Sequence, residues 1–193
     1  YYAAQCGTTA QQNIAIGSFA MRFNTTGNYN TAVGVSALRY SNHANAKDNV
    51  AIGHSALYTS TTGACNTAVG SAALYKSTTG VHNTAHGHAA LKENTTASCN
   101  TAVGSYALYL NTTGTLNTAS GYRALSDNTT ASQNTAFGLA ALCKTTTGAY
   151  NTAVGSVAAL FNTTGTMNTA VGRLALYCNS TGSYNTTIGH EAL

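Results

Sequence analysis

The sequence predicts an all-β protein, a parallel β-solenoid in which each coil takes 17 residues. Three observations support this prediction: a repeat of nearly constant length, Gly and Asn at fixed places in every unit, and short runs of Thr, Ala and Val between them. Such periodicity is typical of solenoids, in which each unit stacks on its neighbours. The absence of Pro and Trp and the excess of Ala, Thr, Asn and Gly also favour a repeat architecture over an ordinary globular domain.

The repeat begins at the Asn of a segment that reads Asn-Thr-Ala-Val-Gly or a close variant. The unit is N-T-A-V-G-x-x-A-L-x-x-N-T-T-G-x-x, and it recurs every 17 residues, except that Asn30 and Asn49 are 19 apart. We expect that longer unit, residues 30–48, to form a coil with a bulged loop near residues 42–45. The leading Asn residues are Asn13, Asn30, Asn49, Asn66, Asn83, Asn100, Asn117, Asn134, Asn151, Asn168 and Asn185.

The unit length and its composition favour strands. Seventeen residues are too few for the helix pairs of helical solenoids, and runs of Thr and Val favour extended structure. We expect residues 1–193 to form one repeat domain of about eleven coils, taken from a longer polypeptide, because the chain begins and ends inside a unit. At about 4.8 Å per coil, the rod would be roughly 50 Å long.

A Gly closes the Asn-Thr-Ala-Val-Gly segment in all eleven units. We expect this position to need φ > 0 or a close backbone approach, since Gly alone permits both freely. The second Gly of the unit is replaced by Ala44, Ala97 and Ala131, so its turn is not expected to need a left-handed backbone. The invariant glycines are Gly17, Gly34, Gly53, Gly70, Gly87, Gly104, Gly121, Gly138, Gly155, Gly172 and Gly189.

The other fixed positions predict the interior of the coil. Stacking would place the leading Asn amides in a hydrogen-bonded ladder along the axis. The Ala pair that ten of the eleven units contain, for example Ala68 and Ala73, predicts a narrow core, and Leu follows the second Ala in nine units.

The residue before the invariant Gly points to association between chains. It is Val or Ile in most units, but it is His86, Ser120 and Phe137 in three. A sealed narrow core would not accept such different side chains, whereas an interface between chains would. Small cores are weakly stabilised alone, and solenoid ends need capping. We therefore expect a homo-oligomer, with a partly exposed face as the alternative.

The Val-Ala-Ile-Gly of residues 50–53 and the recurring Asn-Thr-Ala-Val-Gly resemble the Asn-Ser-Val-Ala-Ile-Gly repeat of trimeric autotransporter adhesin heads of the YadA type. The 17-residue pattern is also similar to repeats of phage tail fibres. The resemblance covers essentially the whole chain, although the adhesin repeat is usually shorter. It implies a left-handed parallel β-roll, three chains around one axis, and surface attachment outside the cell or on a virion.

Composition argues against several classes of function. The four acids, Asp48, Glu93, Asp127 and Glu191, lie in different units, so nothing pairs two of them for general acid–base catalysis. The eight basic residues are scattered and form no nucleic-acid footprint. No apolar run approaches the ~20 residues of a membrane span. We therefore predict neither an enzyme nor a nucleic-acid-binding protein, and no membrane insertion in this segment.

The motif His86-Gly87-His88 is the only candidate metal site, and no other cofactor is predicted. In an alternating strand both imidazoles would lie on one face. Three chains around an axis would then offer six nitrogens, the number that octahedral iron or nickel takes. The alternative is substitution at an exposed position, because His54 and His190 share the unit position of His88.

The cysteines predict free thiols in small apolar sites. Cys65 and Cys99 share a unit position two coils apart, roughly 9.6 Å, which is beyond disulfide reach. Cys143 and Cys178 are also two coils apart, and with Cys6 they show no Cys-x-x-Cys zinc pattern.

Two features of the surface leave alternatives open. The Thr-Thr step of most units could form an ice-binding array, although adjacent Thr side chains alternate and only one column would be exposed. The twelve Tyr and four Phe fall mostly at variable positions, where they could stack on a glycan or pack between chains.

The seven Asn-x-Ser/Thr sequons are interpreted as by-products of the Asn-Thr-Thr turn, with glycosylation in a suitable host as the alternative. They begin at Asn24, Asn94, Asn111, Asn128, Asn162, Asn179 and Asn185.

The sequence therefore predicts a structural or adhesive rod segment of an extracellular fibre, a surface adhesin or a phage tail fibre. Its partners would be copies of itself in a homotrimer or filament, and a glycan or protein of a host surface. The alternatives are a monomeric ice- or glycan-binding solenoid and a subunit of filaments stacked end to end.

Overall fold

The fold is a parallel β-solenoid. The computed structural model describes residue 3 and residues 9–193. In that part of the chain, eleven three-residue strands form one parallel sheet in sequence order, as the repeat predicts. The strands are β1 (Ile14–Ile16), β2 (Thr31–Val33), β3 (Val50–Ile52), β4 (Thr67–Val69), β5 (Thr84–His86), β6 (Thr101–Val103), β7 (Thr118–Ser120), β8 (Thr135–Phe137), β9 (Thr152–Val154), β10 (Thr169–Val171) and β11 (Thr186–Ile188).

The described residues include no helix long and apolar enough to cross a membrane. Connections between strands consist of turns and bends, in which further hydrogen bonds link each coil to the next.

Each strand pairs with the same unit position of its neighbour. Ala68 of β4 lies opposite Ala85 of β5, and the 19-residue coil keeps this register because Ala32 lies opposite Ala51. The two extra residues are therefore absorbed outside the sheet, in the expected loop.

The loop corrects one alignment. We expected Ala44 to replace the second Gly of the long coil, but Ala46 takes that place. The Ala46 carbonyl accepts a hydrogen bond from Asn30 Nδ2 at 2.8 Å, as the Gly63 carbonyl accepts one from Asn49 Nδ2 at 2.9 Å. The inserted residues lie before the second Gly position, so counting from the leading Asn misplaces it.

The core consists of three columns of small and medium apolar side chains. In each strand the middle residue points inward while its neighbours are more exposed, as in Thr67, Ala68 and Val69. Ala68, Ala73 and Leu74 are fully buried. Burying one such Leu contributes about 1.5–3 kcal/mol, and the two Ala columns keep the coil narrow. In the last coil, Thr187 occupies the first Ala column.

The invariant Gly is required by its left-handed backbone, and a close approach of the next coil adds to this requirement. Its φ lies between 122° and 140° in every coil, a region that side chains rarely adopt. A β-carbon added to Gly104 would also lie 2.5 Å from the carbonyl oxygen of Gly121 in the next coil. The second Gly has no left-handed φ, in keeping with its replacement by Ala.

Three further positions in each coil are left-handed without being Gly. In one coil they are Ala72, Leu74 and His82, with φ of 56°, 50° and 57°. Left-handed backbone costs an L-residue roughly 1–2 kcal/mol. Hydrogen bonds between coils offset this cost, since Leu74 N–H donates to Ala90 O at 3.0 Å. These turns are not predictable from the sequence, because no Gly marks them.

Candidate binding surfaces

The leading Asn residues form a continuous buried ladder. The Asn83 backbone N–H donates to Asn66 Oδ1 at 2.9 Å, and Asn83 Nδ2 donates to the Ala97 carbonyl at 2.8 Å. The backbone N–H bond recurs between all consecutive leading Asn residues from Asn13 to Asn185. Each side chain therefore fixes the coil above it, which makes the ladder a structural element rather than a binding site.

A second Asn column lies at the start of the Asn-Thr-Thr turn, and it contains most of the sequons. Asn111 Nδ2 donates to Asn94 Oδ1 at 3.1 Å and to the Gly114 carbonyl at 2.9 Å. The sequon residues Asn24, Asn94, Asn111, Asn128 and Asn162 are buried, which agrees with turn chemistry rather than an exposed glycan acceptor. Asn179 and Asn185, the other two, are half-buried.

The Thr-Thr step presents one exposed column. Thr78 is half-buried, and its Oγ1 donates to the Thr95 carbonyl of the next coil at 3.0 Å. Its neighbour Thr79 is exposed. This alternation is the one expected from the sequence.

The outer strand position before the invariant Gly forms an exposed apolar stripe along the sheet, which we call the Val/Ile column. Val103 is 41% exposed, and Phe137 is 45% exposed in the same column. Its exposed apolar members are Ile16, Ile52, Val103, Phe137, Val154, Val171 and Ile188. The variable position therefore lies on the surface, not in the core.

A further exposed column consists of the residues that precede each leading Asn. It contains large apolar side chains among polar ones, and Leu116 and Tyr150 are more than half exposed. Between it and the Val/Ile column, Thr occupies the first position of most strands.

His86 and His88 are not two neighbours on one strand. Strand β5 ends at His86, and Gly87 turns the chain with φ of 140°, so the alternation we expected does not extend to His88. Both are exposed, and the His88 ring meets the edge of Tyr106 at 5.2 Å between centroids. Within residues 9–193 no three His, Cys, Asp or Glu side chains gather as metal ligands do. Iron or nickel on an axis between three chains stays a prediction.

The cysteines that the structure describes are free, but three of them are not in apolar sites. Cys65, Cys99 and Cys178 are exposed, and only Cys143 of the described cysteines is buried, with its Sγ 3.1 Å from Ser126 Oγ. Cys65 and Cys99 precede leading Asn residues, in the exposed column. Cys6 lies outside the described residues.

Charged side chains pair between adjacent coils. Lys144 Nζ lies 2.9 Å from Asp127 Oδ2, and this hydrogen bond raises the pKa of the lysine ammonium. Lys76 pairs with Glu93, with the same effect on its pKa.

An aromatic and arginine cluster covers the first coils. Phe23 and Tyr40 stack at 4.9 Å, Tyr58 and Tyr75 stack at 4.8 Å, and the Arg39 guanidinium lies 5.4 Å from the Tyr40 ring centre. Burial raises the pKa of Tyr58. These ring faces are occupied by one another, so the cluster stabilises the coils and offers little free surface.

A cleft of about 340 Å³ opens between the coils of β6 and β7. Tyr106 meets Tyr109 at 5.5 Å and Tyr122 at 6.2 Å between ring centres, with interplanar angles of 70° and 88°. The cleft is lined by Tyr106, Tyr109, Tyr122, Arg123, Ser126 and Asp127.

The sequence does not predict this cleft. Aromatic residues occupy variable positions of the repeat, but nothing there indicates that Tyr106 and Tyr122 come together. The unit position is the signal that could have revealed the cleft, because side chains on the turn after the invariant Gly lie above one another in successive coils.

Comparison with known proteins found no matching family model, no matching curated protein and no matching solved structure.

Proposed function

We propose that this chain is a structural and adhesive rod segment of an extracellular fibre, on a cell surface or a virion. In this proposal three chains associate side by side as left-handed β-rolls and carry out no catalysis. The observation that carries the proposal is the Val/Ile column, in which seven apolar side chains between Ile16 in β1 and Ile188 in β11 are exposed.

The interior suits a rod. Every coil repeats the same strand pairing and the same Asn ladder, so the molecule lengthens by one identical step per repeat. Rigidity comes from hydrogen bonds that run along the axis, and it does not depend on distant parts of the chain. A segment of this kind provides length and a regular surface.

The exposed apolar residues favour lateral association. Contiguous apolar patches on a protein surface mark interaction sites. Val103 and Val154 lie three coils apart in the same column, and both are about 40% exposed. End-to-end stacking would use the first and last coils, whereas this surface runs along the side. An interface between chains also accommodates the His86, Ser120 and Phe137 substitutions.

The charged groups support a role without catalysis. Glu93, Asp127 and Glu191 each lie beside a basic side chain, in separate coils. Paired and separated carboxylates are poor candidates for general acid–base work.

A monomeric ice-binding solenoid is the second candidate, and one observation favours it. Thr begins nine of the eleven strands, so a Thr column with a spacing of about 4.8 Å lies beside the Val/Ile column. Against it, the adjoining positions hold side chains as different as Phe137 and Ser120, which interrupts a flat array. A stable monomer that lowers the freezing point of water without lowering its melting point would support this candidate.

The proposal is tested by placing charge on the Val/Ile column. The double variant Val103→Lys, Val154→Lys is expected to reduce the native mass from three times 19.7 kDa to one, measured by light scattering after size exclusion. Two like charges brought together in an apolar interface oppose association. The control is Leu110→Lys, an exposed position whose column already holds Lys76 and Lys144. An unchanged mass in the double variant, or dissociation of the control, would contradict the assignment of this face.

A further inference from the structure

We propose that the cleft between the coils of β6 and β7 binds an anionic pyranose sugar. The sugar ring would lie against Tyr106 and Tyr122, and its carboxylate would pair with Arg123. This inference gives the adhesive part of the proposed function a ligand class and rests on it. One chain supplies the whole cleft, so binding is measured separately from the number of chains.

Tyr122 leaves more of its ring exposed than the stacked tyrosines of the first coils do, whereas Tyr106 is half-buried and its ring also meets His88 at 5.2 Å. Phe23 with Tyr40 and Tyr58 with Tyr75 lie nearly parallel and cover each other's faces. In the cleft the rings are close to perpendicular, and Tyr122 is 51% exposed. An aromatic face offers apolar area with a negative potential, which suits the C–H side of a sugar ring, while phenol hydroxyls serve the sugar hydroxyls.

The charges of the cleft select an anion. Asp127 is already neutralised by Lys144 at 2.9 Å, and its Oδ1 accepts a hydrogen bond from Ser126 Oγ at 2.8 Å. Arg123 is exposed, and among the described residues no carboxylate lies within ion-pair distance of its guanidinium. One positive charge is therefore uncompensated at the cleft.

Arginine suits a carboxylated sugar. A guanidinium binds a carboxylate through two parallel hydrogen bonds, with more directional specificity than an ammonium group has. The net charge of +4 also attracts anionic ligands to the chain as a whole.

The size of the cleft restricts the ligand. A volume of about 340 Å³ is at the small end of ligand sites. It suits a small saccharide unit at the end or along the side of a glycan.

The chain itself supplies substitutions that keep the fold. Tyr106 and Arg123 share a unit position that holds Ala72 and Ala89 in other coils, and Ser in others still. Tyr106→Ala and Arg123→Ser therefore place an accepted residue at each site. Tyr150→Gln is the control, because Tyr150 is an exposed aromatic outside the cleft and Gln133 occupies its position in the preceding coil.

The test is a titration of the tyrosine ring signals by NMR, with two matched pairs of probes. Trigalacturonate and 3′-sialyllactose are each compared with their neutral methyl esters. At least one acidic probe is expected to bind, and its neutral partner at least about tenfold more weakly. Tyr106→Ala and Arg123→Ser should each weaken binding by roughly tenfold, and Tyr150→Gln should not.

The proposal is overturned if neither acidic probe binds, if the neutral partner binds equally well, or if Arg123→Ser has no effect. The native mass of each variant is measured in parallel. If Tyr106→Ala reduces the mass, the rings pack between chains, which would overturn the glycan site and leave the trimeric fibre standing. If the wild-type chain is a monomer that still binds an acidic probe, the fibre proposal fails and the site remains.

Discussion

Single residues at the fixed positions of this solenoid stabilise it by contacting the coil that follows them. Gly104 lies directly beneath Gly121, and its backbone both turns with φ of 129° and leaves no room for a β-carbon. Asn100 holds the next coil through its side-chain oxygen, which accepts the N–H of Asn117 at 2.9 Å. Each fixed residue of the repeat therefore has a partner in the next coil, and this explains why the unit tolerates change only between the fixed positions.

Gly104→Ala is expected to destabilise the chain by about 3 kcal/mol or more, because φ strain and a backbone collision add. Urea unfolding followed by circular dichroism measures the change. A β-carbon at Gly114 would come even closer to a carbonyl oxygen of the next coil, that of Ala131, but its φ is not left-handed and its column already holds Ala97 and Ala131. Gly114→Ala should therefore cost clearly less. Equal losses in the two variants would show that the left-handed turn is not what requires Gly.

The second Asn column contains an interruption that can be repaired. Within the described chain, Asn128 Oδ1 has no hydrogen-bond partner, because the next coil places Thr145 where an Asn would donate. Thr145→Asn should extend the ladder and raise the free energy of unfolding by about 1 kcal/mol. A loss of stability greater than about 1 kcal/mol in thermal and urea unfolding would show that the Thr145 hydrogen bond to the Asn162 carbonyl stabilises the chain more than an extended Asn ladder does.

At the scale of the element, the structural unit that stabilises this fold is the whole coil and not its strand. Three strand residues in 17 cannot hold the sheet alone, and the rest of the coil contributes left-handed turns, Leu packing and hydrogen bonds to both neighbours. Solenoid stability is close to a sum of such nearest-neighbour contacts. A defect in one coil should therefore weaken the molecule locally, in proportion to the contacts that it removes.

Leu108→Ala tests the core of one coil. Leu108 is fully buried, and the change should cost about 2–4 kcal/mol in urea unfolding, from lost burial and the cavity left behind. Leu110→Ala in the same coil removes a side chain that is 37% exposed and should cost less than about 1 kcal/mol. Ala159 occupies the Leu column of another coil, which indicates that the fold survives a change from Leu to Ala at this position. Equal costs would mean that the coil interior is not packed as described.

The sequence allowed the coil to be predicted where a residue type has one physical explanation. An unvarying Gly implies a special backbone, and a small unvarying Ala implies a narrow core. The left-handed turns at Ala72 and Leu74 were not predictable, because their side chains carry no signal and hydrogen bonds to other coils stabilise them. The two inserted residues hide the fact that Ala46, and not Ala44, takes the second Gly position. The exposure of Cys65 depends on which side of the turn its side chain occupies.

The candidate sites were less predictable than the fold. An alternating strand through Gly87 would put His86 and His88 on one face, but β5 ends at His86. The tyrosine cleft could not be predicted, because its residues stand at variable positions of two different units. They form a site only when the two coils stack. A site on such a repetitive fold is formed by variable positions of adjacent coils, so the pattern of a single repeat does not reveal it.

At the scale of the whole molecule, the chain is a rod of roughly 50 Å with different surfaces on its sides. The Val/Ile column lies on the strands and the tyrosine cleft is lined by residues that follow them, so association and recognition would use separate residues.

The native mass of the wild-type chain in solution tests the central claim most directly. Light scattering after size exclusion is predicted to give three times 19.7 kDa, independent of loading concentration over a tenfold range. A stable monomer would contradict the fibre assembly and favour the ice-binding solenoid, and a broad distribution of high masses would favour filaments stacked end to end.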